Sequence, residues 1–143
     1  MYHSSGGGTG SGLGGLIAER MISEYPKKNR SSIVVYSSPS QSTSVIEPYN
    51  TCNTLDWMLE YCEFNVFFDN QALNRICDMN LGIPNARYSD LNRIIAQYMS
   101  SLTASMRFGG SINSCLANIN TDMIPYPRVH YLMGSMAPIT SAE

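Results

Sequence analysis

Gly6-Gly7-Gly8-Thr9-Gly10-Ser11-Gly12, running without a break into Leu13-Gly14-Gly15-Leu16-Ile17-Ala18-Glu19-Arg20-Met21, is the stretch on which the reading of this chain turns. With five glycines in its first seven residues, the backbone can turn its N–H groups inward and approach a ligand closely. A helix N-terminus placed directly behind adds unpaired donors and the positive end of a dipole, and that arrangement suits phosphate. A Gly/Ser linker or an expression scar behind Met1-Tyr2-His3-Ser4-Ser5 is the competing reading. The helix argues against it. Leu13, Leu16, Ile17 and Met21 fall on one face at helical spacing, Ser11 can cap the start, and Pro26 stops the pattern.

Composition narrows the classes. The chain has 143 residues, enough for one domain with a core; only 14% are charged and the net charge is −2. No field is present to draw nucleic acid or a membrane surface. No apolar run approaches the ~20 residues that span a bilayer. The polar start shows no secretory pattern. Cys52, Cys62, Cys77 and Cys115 show no CxxC spacing, so reduced thiols of a cytosolic protein are expected rather than zinc, and no metal ligand is assigned.

Further elements follow in alternation. Ser32–Tyr36, with Ile33, Val34 and Val35, reads as a buried strand, and 37–43, polar with Pro39, as a loop. A helix is predicted from about Val45 to Tyr61 with Val45, Tyr49, Cys52, Leu55 and Leu59 on its apolar face. Val66, Phe67 and Phe68 make a second buried strand. Asp69 and Asn70 open a short helix carrying Leu73, Ile76 and Cys77, which Gly82 and Pro84 break. A long helix begins near Tyr88, carries Leu91, Ile94, Ile95, Tyr98 and Leu102, and ends at Gly109 and Gly110. Val129, Tyr131 and Met133 alternate as a last strand; His3 falls in an unstructured start. Strands alternating with helices imply an α/β layer with a largely parallel sheet, whose ligand lies beyond the carboxyl ends of the strands. Ser42, Thr43, Glu47, Asp69 and Asn70 cluster in the loops at that edge, where helix capping is their bland reading.

Gly10, Gly12 and Gly15 also satisfy GxGxxG. A dinucleotide fingerprint needs a strand directly before the glycines and an acidic residue ending the next strand. Only Met1 to Ser5 precede Gly6, and the next strand ends in Tyr36-Ser37-Ser38, so that reading is rejected. No Gly-Lys-Ser/Thr is present for a Walker A loop. Neither histidine has an acid or nucleophile partner. Arg107 and Arg128 read as ion-paired structural residues, and Trp57 as a packing residue.

Gly6–Gly12 resembles the signature of the tubulins. Val45-Ile46-Glu47-Pro48-Tyr49-Asn50, Phe68-Asp69-Asn70-Gln71-Ala72-Leu73, Leu91-Asn92-Arg93 and Pro125-Tyr126-Pro127-Arg128-Val129-His130 follow in that family's order. Ser100–Ser105 and Ala137-Pro138-Ile139-Thr140-Ser141-Ala142-Glu143 look most like α-tubulin, whereas Leu13-Gly14 and Asn74-Arg75 lean towards γ-tubulin. The resemblance covers the whole chain but only about a third of a tubulin, so it reads as an internal fragment of a divergent α-like tubulin, with Met1 as a coincidental start. It implies a three-layer, Rossmann-like nucleotide-binding domain, incomplete, over 1–107, and the start of an intermediate domain over 108–143.

The resemblance also implies roles. Gly7, Gly8, Thr9 and Gly10 would donate N–H groups to the phosphates of GTP, and Ser42, Thr43 and Glu47 would border the ribose. Asn70 and Asn92 would read the guanine edge, and Tyr88 would stack on the base. Tyr88 and Asn92 are also i and i+4 on one helix face. Magnesium is expected in the full-length family, with no ligand in this chain. Cys115 and Asn118 occupy the two acidic positions of the loop Gly110-Ser111-Ile112-Asn113 and onward, with which the family activates hydrolysis on a neighbouring subunit. A free thiol is mostly protonated near neutral pH and an amide is no base, so that activity is expected to be degenerate. The implied function is a GTP-binding structural subunit of a microtubule-like polymer, partnered by other tubulin subunits in heterodimer and protofilament contacts, in the cytoplasm and cytoskeleton. The alternative is a non-polymerising remnant, or a tubulin-interacting protein without GTPase activity of its own.

Overall fold

The structure, a computed structural model, describes residues 1–36, 38, 40, 42, 44–110, 112, 114–137 and 139. Ser37, Pro39, Gln41, Thr43, Ser111, Asn113, Pro138 and 140–143 lie outside the described residues. Four strands, β1 (Tyr2–Ser4), β2 (Ser31–Tyr36), β3 (Phe64–Asp69) and β4 (Tyr131–Met133), form one sheet in the order β1-β2-β3-β4, every neighbour parallel. Between them lie α1 (Gly14–Glu24), α2 (Glu47–Tyr61), α3 (Asn70–Leu81), α4 (Tyr88–Leu102), α5 (Ala104–Arg107) and α6 (Leu116–Met123). The α/β, Rossmann-like class expected from the alternation is the one observed.

Strand alternation divides the core into two. Ile33, Phe64, Val66 and Phe68 face α3, α4 and α6, packing with Leu73, Cys77, Leu91, Ile94 and Ile119. Ile95, Tyr98 and Leu102 join this core, so the predicted stripe of α4 is the face that packs. Val34 and the flanking Phe67 face the other way, against Ala18, Trp57 and Met58 of α1 and α2. The sheet is thus the middle of three layers. Each fully buried aliphatic side chain here contributes roughly 1.5–3 kcal/mol of transfer free energy.

Five local expectations fail, each for a physical reason. The start is not unstructured: Tyr2-His3-Ser4 pairs in register with Ile33-Val34-Val35, and His3 Nε2 lies 2.7 Å from Ser32 Oγ. The apolar stripe expected to pack on α1 points outward, as do Val45, Tyr49 and Cys52 of the one expected on α2, where Leu55 and Leu59 are half-buried. Leu16 is 66% exposed and Tyr49 77%, whereas the buried positions are Gly14 and Ala18 on α1 and Thr51, Thr54, Trp57 and Met58 on α2. These helices meet through small and hydrogen-bonding residues, to which a hydrophobic period is blind. The long helix does not reach Gly109. Thr103 breaks it, with its Oγ1 donating to Met99 O at 2.9 Å, and Arg107 Nη2 donates to Ser100 O at 2.7 Å. Arg107 therefore caps a helix end and has no ion pair among the described residues; Arg128 does pair, with Glu60 at 3.2 Å. In β4 the residue that packs on the larger core is Leu132, between Tyr131 and Met133. Tyr131 Oη donates instead to Leu55 O at 2.9 Å, tying β4 to α2. Helix α6, which has no counterpart in the sequence reading, brings Ile119 into the core.

Asn65, the second residue of β3, is fully buried, and neither polar atom of its side chain has a protein partner among the described residues. An unpartnered buried amide costs about 1–3 kcal/mol. Asn65→Val, which also suits a strand, is expected to raise stability by roughly that amount. Thermal and urea unfolding of this chain check it, and an unchanged or lowered midpoint would show that the amide is satisfied in solution.

Candidate functional site

Parallel strands separated by helices send every helix back with its N-terminus at the sheet edge from which the strands' carboxyl ends emerge. At that edge lies a cleft of about 640 Å³ lined by Ser4, Gly6, Gly7, Gly8, Val35, Tyr36, Ser38, Ser44, Ile46, Glu47, Asn50, Asn70 and Tyr88. Four helix starts converge on it. Gly8 caps the first helical turn, Ile46 and Glu47 begin α2, Asn70 is the first residue of α3, and Tyr88 is the first of α4. Each contributes backbone N–H groups without an intrahelical acceptor and the positive end of a dipole, so the cleft favours an anion.

The glycine stretch does not form an open loop that ends where the helix starts. Residues Thr9–Leu13 make a wide, π-type turn, and Gly14 N donates to Thr9 O as it passes into α1. Ser11, expected as the cap, sits buried inside that turn with its Oγ donating to Gly8 O at 3.3 Å; the cap position is Gly8. The glycines divide by surroundings. A Cβ at Gly7, Gly8 or Gly12 would meet nothing within 4 Å, but one at Gly10 would stand 1.9 Å from Ser4 O. Gly10 is therefore the position where turn and β1 touch backbone to backbone, which only glycine permits. The strand before the glycines removes one ground for rejecting a dinucleotide fingerprint. The other stands, because β2 ends at Tyr36 with no acidic residue.

Helix α2 holds the far side of the same stretch. Asn50 Nδ2 donates to Gly6 O at 3.0 Å, Thr54 Oγ1 to Ser5 O at 3.3 Å, and Trp57 Nε1 to Ser11 O at 3.0 Å. The carbonyls on the α2 side thus have side-chain donors, while Gly6, Gly7 and Gly8 line the cleft.

Of the residues singled out from sequence, Gly7, Gly8, Glu47, Asn70 and Tyr88 line the cleft together. Thr9 and Gly10 lie inside the helical turn and are not among the lining residues. Ser42 borders a neighbouring, more apolar groove with Tyr36, Glu47, Pro48 and Cys52. Thr43 lies outside the described residues. Asn92 is exposed, one turn beyond Tyr88 on α4, and does not line the cleft. Cys115 and Asn118 meet each other, Sγ donating to Oδ1 at 3.3 Å at the start of α6, away from the cleft lining. Ser4, Gly6, Ser38, Ile46 and Asn50 also line it without having been singled out. Asn50 had a signal, since it stands three residues after Glu47 and shares its helix face.

The cleft has room for a nucleotide, within the ~300–1,000 Å³ usual for small-molecule sites. It offers N–H donors at one side and an amide and a phenol ring at the other. No group of three or more His, Cys, Asp or Glu able to hold a metal is found among the described residues, and Glu47 is the one carboxylate in the lining. The donor set fits a nucleotide and does not make up a magnesium site.

The Tubulin/FtsZ family, GTPase domain, matches residues 1–78, from β1 through most of α3. The chain is 45% identical over 143 residues to the tubulin alpha chain, nucleomorph, of Guillardia theta, covering all of this chain and 32% of that protein. This chain therefore belongs to the tubulin family, and it spans about a third of the length of that curated relative.

Gly10 and Gly7 give a steric contrast within one motif. Gly10→Ala forces the turn off β1, an overpacking expected to lower stability by about 1–3 kcal/mol. Gly7→Ala faces open space and is expected to unfold within about 0.5 kcal/mol of the parent. Circular dichroism melts of the two variants check the pair, and equal midpoints would contradict the close approach of Gly10 to Ser4.

Proposed function

We propose that this chain is the nucleotide-binding stretch of a microtubule-type subunit of the tubulin family and that its cleft takes GTP. The observation that carries the reading is the convergence of four helix N-termini on one cleft beside the Gly6–Gly8 backbone. The triphosphate lies along the glycine stretch and the first helical turn, where N–H groups and dipole meet it. Glu47 borders the ribose. Asn70, offering both donor and acceptor, reads the guanine edge, and Tyr88 stacks on the base. Asn92 stands one turn farther along α4, so Asn70 carries most of the base reading. Magnesium ligands come from outside this stretch. Residues 108–143 begin a second domain in the whole subunit, and the partners are other tubulin subunits in a cytoskeletal polymer.

Two features set this chain apart within that reading. Among the described residues strand β1 pairs with β2 alone, and Leu13, Leu16, Ile17 and Met21 are exposed. Both are covered, on this proposal, by parts of the longer protein. At the start of α6, a thiol bonded to an amide stands where the family resemblance places two carboxylates. Neither side chain offers the carboxylate oxygen that would orient and polarise an attacking water. This supports a second reading, a divergent subunit that joins tubulin partners without activating hydrolysis.

Calorimetric titration of the soluble, monomeric chain is expected to give GTP affinity weaker than micromolar, because only part of the phosphate cradle is present, yet stronger than ATP affinity. Asn70→Ala is expected to remove about 1–3 kcal/mol and with it the preference for guanine. Equal binding of GTP and ATP by the parent chain would sink the base assignment.

For hydrolysis the test is reciprocal. Cys115→Asp with Asn118→Glu, placed in a polymerising subunit that carries this sequence, is expected to raise phosphate release on the neighbouring subunit by ~10²–10⁴-fold. Unchanged release at equal polymer mass would remove any role for these two positions.

A further inference from the structure

Trp57 is the chain's single tryptophan, and it lies 6% exposed where α1, α2, β1 and the glycine stretch meet. Its Nε1–H donates to Ser11 O at 3.0 Å. Its ring lies on the glycine face of α1: a Cβ at Gly15 would stand 3.0 Å from Trp57 Cδ1, and one at Gly14 3.2 Å from Cζ2. The His3 ring, on the strand that feeds the glycine stretch, is 5.1 Å away between centroids, tilted by 38°. The other donors of α2 divide the work. Asn50 and Thr54 hold Gly6 O and Ser5 O at the entry, whereas Trp57 acts at the exit, where the wide turn becomes α1. Asn53 Nδ2 reaches the same Ser11 carbonyl only at 3.5 Å.

We propose that Trp57 is the positioning residue of the glycine stretch. It touches no part of the cleft; it acts through the Ser11 carbonyl and through the Gly14-Gly15 surface. The hydrogen bond fixes how far the turn is drawn toward α2, and the two glycines let the indole approach closely enough to make it. Together they set the pitch at which the Gly7 and Gly8 amides face the cleft. This rests on the reading of that stretch as a phosphate cradle for its functional meaning, but the mechanical role is a property of the chain itself.

Hydrogen exchange read by mass spectrometry, on the chain without nucleotide, tests it. Trp57→Phe keeps a ring on the glycines and deletes the donor. Amides of residues 6–13 are expected to exchange about tenfold faster, as removal of one partner of a buried hydrogen bond implies, while residues 64–69 and 88–102 stay within about twofold of the parent. Gly15→Ala leaves Trp57 in place but displaces the indole. It is expected to loosen the same segment and to shift Trp57 emission to the red. Acceleration spread evenly over all segments would make Trp57 an ordinary core residue and overturn the proposal, as would an unchanged 6–13 segment in both variants. GTP titration separates the two ideas: local loosening in a chain that never binds GTP upholds the role of Trp57 and sinks the functional reading.

Discussion

A backbone that presents its N–H groups to a ligand must place its carbonyls on the other side, and buried carbonyls need donors. This constraint organises one half of the molecule. Helix α2 supplies the donors from side chains on a single face, Asn50, Thr54 and Trp57, so that face is spent on hydrogen bonding rather than on aliphatic packing. The same constraint reaches α1. For the indole to reach Ser11 O, the first turn of α1 has to be bare, and Gly14 and Gly15 make it so. Helix propensity is sacrificed there, at roughly 1 kcal/mol per glycine relative to alanine, in exchange for contact geometry.

This explains what the sequence discloses and what it hides. On the α3/α4 side the packing is ordinary hydrophobic burial. There the spacing of Leu91, Ile94, Ile95, Tyr98 and Leu102 names the packed face directly, as Val66 and Phe68 name the strand. On the α1/α2 side the packed residues are glycine, alanine, threonine, one indole and Met58, while Leu13 at the N-cap of α1, Leu16, Ile17 and Met21 along it and Tyr49 on α2 are exposed. A reading that counts apolar residues at helical spacing selects the outward stripe on α1, and on α2 a stripe that starts exposed at Tyr49 and Cys52 and is only half-buried at Leu55 and Leu59. Strand β1 escapes for a related reason. Tyr2-His3-Ser4 has no apolar run, and it is held by its ladder to Ile33-Val34-Val35 and by the His3–Ser32 contact, neither of which is visible in three residues.

The site is more legible than the packing around it, because topology places it. Once strands and helices alternate in a parallel sheet, every helix start arrives at one edge, so Gly7, Gly8, Glu47, Asn70 and Tyr88 meet although they are spread over more than half the chain. What topology does not determine is reach. Asn92 shares a helix face with Tyr88 yet lies a full turn away from the lining, and Ser42 falls into the adjoining groove. Spacing along one helix assigns a direction; only the packing of α4 against α3 decides how far along it the cleft extends.

The departures from the family pattern fall on one side of this division. The residues that converge on the cleft keep the types that the family resemblance calls for, and so does the glycine stretch down to the one position, Gly10, that cannot carry a Cβ. Cys115 and Asn118, far along the chain at the start of α6, do not. Binding a nucleotide and activating its hydrolysis on a neighbour make different physical demands. The first needs donors and a dipole, which the backbone supplies whatever the side chains are. The second needs an ionised oxygen aimed at water, which only particular side chains supply. A chain can therefore lose the second while its fold continues to enforce the first, because the N–H groups that would hold phosphate are fixed by the same bonds that hold α1 and α2 together.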